Sequence, residues 1–120
     1  MLITKSTATH CLQLRIYKTH DGKIKIIPLH QVQYVEAADD YVKIVTSEGS
    51  YLKKKTMQFF EDSLQASQFV RVHRSYIVNV QLITRIDAYE KDSHIALLNT
   101  GAKITVSKTG YAKLREVLGL

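Results

Sequence analysis

Apolar and polar residues alternate along most of this chain. In CLQLRIY (11–17) Leu12, Leu14 and Ile16 alternate with Gln13, Arg15 and Tyr17, the period-two signature of a half-buried strand. KIKII (23–27) sets Ile24 and Ile26 on one side, and AKITVS (102–107) sets Ile104 and Val106 on one face. YVKIVT (41–46) and SYLKKKT (50–56) read as a pair around Gly49, and RIDAYEKDSHIALL (85–98) as two strands around Glu90–Asp92. Turn signals punctuate these runs: HDGK (20–23) with Asp21-Gly22 at a hairpin tip, SEGS (47–50) and LNTGAK (98–103). About seven to nine short strands at this spacing predict a mainly β, antiparallel protein.

Two stretches break the alternation. In TMQFFEDSLQAS (56–67) Met57, Phe60 and Leu64 form a helical stripe, and Thr56 is placed to cap it. In SKTGYAKLREVLGL (107–120) Tyr111, Leu114 and Leu118 repeat the spacing behind Ser107. PLHQV (28–32) and NVQLI (79–83) each read as a single helical turn after a strand.

The 120 residues, 45% hydrophobic and 23% charged, suit one globular domain, 1–120, with residues 1–9 as a linker remnant or N-terminal tail. The one cysteine, Cys11, reads as a small buried hydrophobe in a reducing compartment. No apolar run nears the roughly 18 residues that span a bilayer, and MLITKSTATH lacks the core of a signal peptide. A cytoplasmic protein without a membrane partner is expected.

The candidate chemistry is not enzymatic. His10, His20, His30, His73 and His94 have no metal-type spacing, glycines are too sparse for a phosphate-cradling loop, and no nucleophile elbow is present. Asp39-Asp40 reads as a solvated turn. No catalytic residue, metal or cofactor is expected. The formal charge of +6 instead favours an anionic partner, with nucleic acid ahead of an acidic membrane.

The basic residues fall in three groups: Lys53, Lys54 and Lys55; then Arg71, His73 and Arg74; then Lys103, Lys108, Lys113 and Arg115. If FVRVH (69–73) is a strand, Arg71 and His73 share one face while Val70 and Val72 enter the core. Arg74 then stands at the strand exit, where a guanidinium can reach a base edge. The competing outcome is an ion pair of Arg74 with Asp87 or Glu61. Lys108, next to the capping Ser107, sets a cation against the helix dipole, a conflict of roughly 0.3–1 kcal/mol that an anion would relieve.

IIPLHQVQYVEAADDYVKIVTSEG (26–49), FVRVHRSYIVN (69–79) and ITRIDAYEKDSHIALLNTGAKITVSKTGYAKL (83–114) together resemble the LytTR DNA-binding domain, the output module of LytR/AgrA-type bacterial response regulators. The resemblance spans about Lys25 to Leu118, and RVHRSYIVN and ITVSK are its most specific parts. It implies short antiparallel sheets side by side in an elongated domain with few, short helices. It also implies sequence-specific binding of double-stranded DNA, with loops entering successive major grooves. Carried onto this chain, the base-contacting positions are the Asp39–Tyr41 loop, Arg74 and Lys108. Within and beside the first loop, Asp40 and Lys43 are the candidates. Lys53, Lys54, Lys55, Arg71, His73 and Ser75 are the expected phosphate contacts, which position rather than specify. Implied partners are paired direct repeats, a homodimer on DNA, and a receiver domain or sensor kinase in a longer regulator; these 120 residues leave no room for a receiver. The alternative is a β-rich RNA-binding or protein-interaction module using its basic face. Exposure of Tyr41, Tyr51 and Tyr76 would favour single strands.

Overall fold

A computed structural model describes residues 13–16, 25–64 and 66–120. The HDGK turn, Cys11 and segment 1–9 lie outside the described residues. Strands β1 (Gln13–Ile16) and β2 (Lys25–Pro28) pair antiparallel. Strands β3 (Val32–Ala38), β4 (Tyr41–Thr46) and β5 (Gly49–Lys53) form a meander, followed by helix α1 (Met57–Ser63). FVRVHRSYIVN folds back on itself as β6 (Phe69–His73) and β7 (Tyr76–Asn79). Strands β8 (Ile83–Ala88), β9 (His94–Leu98) and β10 (Lys103–Val106) precede helix α2 (Lys108–Leu118). The two single turns are 3-10 turns, Leu29–Gln31 and Val80–Leu82. The molecule is therefore mainly β with two short helices, as the alternation predicts.

The central sheet has five strands in the order β5-β4-β3-β7-β6, and a second sheet has the order β10-β9-β8. Both are antiparallel throughout. The central sheet is covered on both faces. On one face Val35, Val42, Ile44, Phe69 and Ile77 pack under Met57, Phe60 and Leu64 of the α1 segment and Ile27 of β2. On the other, Val70, Val72 and Val78 meet Ala96, Leu98, Ile104 and Val106 of the second sheet and Leu114 of α2. The thickness of 24 Å accommodates such layers, since stacked sheets lie about 10 Å apart. Tyr111 docks α2 onto β9 by stacking on His94, with ring centroids 3.8 Å apart and planes within 4°.

Three details depart from the sequence pattern. Ile26 is 47% exposed and Ile27 is the buried member of β2. The stripe of α2 ends at Leu114, with Leu118 exposed and Gly110 buried instead. Strand β6 is covered on both faces at its start, because Phe69 and Val70 are buried in opposite layers, while Arg71 and His73 further along stay partly exposed. The closing Asn79 of the motif is structural: its Nδ2 donates to Val32 O at 2.9 Å, and its Oδ1 accepts from Gln81 N–H at 3.1 Å.

Candidate nucleic-acid interface

Antiparallel register gathers two chain reversals and one strand end at one end of the central sheet. There lie the C-terminal end of β5 (Lys53), the β3–β4 turn (Asp39-Asp40) and the β6–β7 turn (Arg74-Ser75). Ala37 N–H donates to Ser75 O at 2.9 Å, setting the two turns side by side. The start of α2 joins the row through Ser107, whose N–H and Oγ–H both donate to Val72 O, at 2.8 and 3.1 Å. At about 4.8 Å per strand, the five strand ends cover roughly 19 Å.

The β6–β7 turn is held on every side while its tip stays open. Arg71 reaches along the strand: Nη1 donates to Glu61 Oε1 on α1 at 3.0 Å and Nη2 to Arg74 O at 2.8 Å. Ser75 N–H donates to His73 Nδ1 at 3.1 Å. A neutral His73 in that arrangement carries its proton on Nε2, leaving an outward donor. The Arg74 side chain is exposed and has no ion pair among the described residues. Neither Glu61 nor Asp87 holds it: Glu61 pairs with Arg71 and Lys113, and Asp87 pairs with Arg85.

Helix α2 begins beside this turn. The Ser107 hydroxyl, donating to Val72 O, accepts from Gly110 N–H at 3.0 Å, the cap expected from the sequence. Gly110 lies so close to β6 that a Cβ built on it would stand 1.9 Å from Val72 O. Lys108 is exposed and unpaired among the described residues. Its neighbours Ser107 and Thr109 line a hollow of about 250 Å3 with Arg71, His73, Arg74, Lys113 and Glu61. Relieving the dipole conflict should be visible without DNA: Lys108→Asp is expected to raise stability by about 1 kcal/mol in chemical denaturation. The same substitution should weaken duplex binding in a gel-shift titration.

The other end of the row is mixed in sign. Asp39 adopts φ +57°, a left-handed conformation that Asp tolerates in a tight turn. Asp39 and Asp40 share a hollow of about 460 Å3 with Tyr41, Lys54 and Lys55. Lys55 Nζ sits 4.8 Å from the Phe59 ring centroid. Burial, and then the Lys55 charge, push the Lys53 pKa below its ordinary value. Lys43 stands three residues past the turn, half-buried and opposite Glu36. The Glu36 carboxylate accepts from Tyr76 Oη–H at 3.3 Å. Burial first, and Glu36 second, raise the pKa of both Tyr34 and Tyr76.

The structure thus gathers Arg71, His73, Arg74 and Ser75 at one turn beside the α2 start that carries Lys108, and Lys54 and Lys55 with Asp39 and Asp40, next to Lys53 at the end of β5. Sequence reasoning did not find Gly110 or the place of Glu61. A glycine inside KTGYAKL, amid good helix formers, was the available signal of close approach. Among the described residues, no group of three His, Cys, Asp or Glu side chains could hold a metal, and no helix is long and apolar enough to cross a membrane.

The model of the LytTr DNA-binding domain family matches residues 22–119. This chain belongs to that family. The LytTr assignment agrees with a structure from Bacillus cereus described as a LytTr DNA-binding domain of a response regulator. That structure superposes with a TM-score of 0.79 and 30% identity, covering 90% of this chain and 97% of its own. Sensory transduction protein LytT of Bacillus subtilis (strain 168) is 29% identical over 110 residues, which are 92% of this chain and 46% of the relative. Transcriptional regulatory protein YpdB of Escherichia coli (strain K12) is 27% identical over 101 residues, 83% of this chain and 41% of the relative. The LytTr domain described here therefore spans less than half the length of these relatives.

Proposed function

We propose that this LytTr domain binds double-stranded DNA sequence-specifically, as the DNA-reading part of a bacterial transcription regulator. The observation that carries the reading is the pair of exposed, unpaired cations, Arg74 and Lys108, on neighbouring turns joined by the Ser107–Val72 hydrogen bonds. Arg74 and Lys108 read base edges in the major groove, and the Asp39–Tyr41 turn, with Asp40 and Lys43, makes the third approach. Asp40 can accept from cytosine N4. Lys53, Lys54, Lys55, His73 and Ser75 contact phosphates; Arg71, also expected to do so from the sequence, has its guanidinium engaged by Glu61 and the Arg74 carbonyl and serves the turn instead. The row of about 19 Å is wider than a major groove of about 12 Å, which favours turns that divide between groove and flanking backbone.

Two copies on paired direct repeats form the working complex. In a longer regulator, a receiver domain or a sensor kinase supplies the signal. The single-strand reading has less support, because of Tyr41, Tyr51 and Tyr76 only Tyr41 is exposed. Tyr51 packs against the core, and Tyr76 is half-buried on Glu36.

The test is a gel shift with a duplex selected by this protein from a randomised pool, against a random duplex and single-stranded RNA as competitors. The selected duplex should win at moderate salt. With about five phosphates neutralised per copy, log K should fall against log salt with a slope near −4.5. Equal competition by the random duplex would remove the sequence-specific reading, and preferential competition by RNA would replace it.

A further inference from the structure

We propose that Glu61 and Arg71 are positioning residues for base reading: an acidic side chain on α1 sets the Arg74 turn through a two-handed guanidinium. The inference rests on Arg74 being a base reader.

The geometry is a relay. Glu61 Oε1 accepts from Arg71 Nη1 at 3.0 Å, and Arg71 Nη2 donates to Arg74 O at 2.8 Å. Glu61 Oε2 lies 3.7 Å from Lys113 Nζ on α2. One carboxylate thereby ties α1, β6 and α2 around the hollow that Arg74 and Ser107 line. Arg71 is half-buried, with side-chain exposure of 22%, so its fork is directed into the protein at both ends. The planar guanidinium suits this task, because its donors are fixed relative to one another and locate the Arg74 carbonyl relative to α1. The Arg74 side chain itself makes no hydrogen bond or ion pair with either partner among the described residues. Glu61 therefore acts on it only through the turn backbone.

The electrostatic expectation has the opposite sign. A carboxylate beside a DNA-facing hollow repels phosphate, so charge alone would make Glu61→Ala a tighter binder of every duplex. The relay predicts that selectivity falls although net charge becomes more positive.

The test measures dissociation constants for the pool-selected duplex and a random duplex of equal length, for wild type, Glu61→Ala, Arg74→Ala and the double variant. Glu61→Ala should reduce the ratio of the two constants by about tenfold, within what one bidentate base contact supplies. Affinity for the random duplex should hold or rise. In the Arg74→Ala background, Glu61→Ala should cause little further loss of selectivity, since the relay ends at Arg74 and the longer 3.7 Å contact to Lys113 is the weaker tie. Glu61→Gln, which keeps an oxygen for Nη1, should recover part of the loss, whereas Arg71→Lys should not, because one ammonium cannot replace the fork. Unchanged selectivity in Glu61→Ala, or an equal loss in both backgrounds, would overturn the relay alone. A wild-type protein that fails to prefer the selected duplex would overturn the base-reading role of Arg74, and the relay with it.

Discussion

Gly110→Ala is expected to destabilise this domain by about 3 kcal/mol and to abolish tight duplex binding, although alanine is the better helix former. Propensity alone predicts a gain of about 1 kcal/mol for Gly→Ala inside a helix. The competing term is steric. An added Cβ would meet Val72 O at 1.9 Å, Val72 C at 2.5 Å and Val72 Cα at 2.7 Å. All three are backbone atoms in β6, so no side-chain rotation relieves the overlap. Overpacking a close-packed site costs about 1–3 kcal/mol, and more when neighbours cannot yield. If α2 lifts away instead, both bonds from Ser107 to Val72 O lengthen, at about 0.5–1.5 kcal/mol each. Either route moves Lys108 relative to Arg74. Urea denaturation should show a lower midpoint at an unchanged m value, and the gel shift should fade in parallel. A variant as stable as wild type would mean that α2 does not sit this close to β6.

Much of this arrangement is readable from local pattern. The alternation in YVKIVT and AKITVS is a consequence of one-sided contact with a core, and Val42, Ile44, Ile104 and Val106 are all buried. Thr56 and Ser107 are recognisable as caps because a hydroxyl before an apolar helical stripe satisfies an otherwise orphaned N–H, and both do so. Local pattern fails where a residue answers to distant chain. KIKII leaves open which isoleucine faces inward, because that depends on the α1 layer above β2. The run FVRVH looks half-exposed in isolation, yet Phe69 is buried with the α1 segment, and Val70 and Val72 are buried against strands and a helix much further along the chain.

The ion pairing around Glu61 shows the same limit. Composition brings Glu61 within consideration as a partner for Arg74. The register decides otherwise: β6 and β7 shift between Arg71 and His73, and Arg71 takes both Glu61 and the Arg74 carbonyl. Arg74 remains open for that reason. The conflict between Lys108 and the helix dipole, by contrast, is fully local and was legible, since it needs only the order Ser107-Lys108 at a helix start.

Arg74→Ala is expected to lower affinity for the selected duplex by about 1–3 kcal/mol, roughly 5- to 150-fold, and to relax discrimination at one base pair. The size follows from a guanidinium that donates two bonds to one guanine, leaving acceptors on the wrong base unmatched. Because the exposed Arg74 side chain makes no ion pair among the described residues, its removal should leave the unfolding midpoint where it was. Random duplex should lose far less, with the salt slope changed by less than about one unit. Lys54→Ala supplies the contrast. Lys54 is exposed beside the Asp39-Asp40 turn, and a phosphate contact there should weaken selected and random duplexes alike while reducing the slope by about one unit. Selection from a randomised pool with each variant separates the two behaviours directly. Arg74→Ala should return a motif degenerate at one position, and Lys54→Ala the wild-type motif at lower yield. If Arg74→Ala instead lowers both affinities equally, the turn contacts the backbone, and base reading must lie with Lys108 and the Asp39–Tyr41 turn.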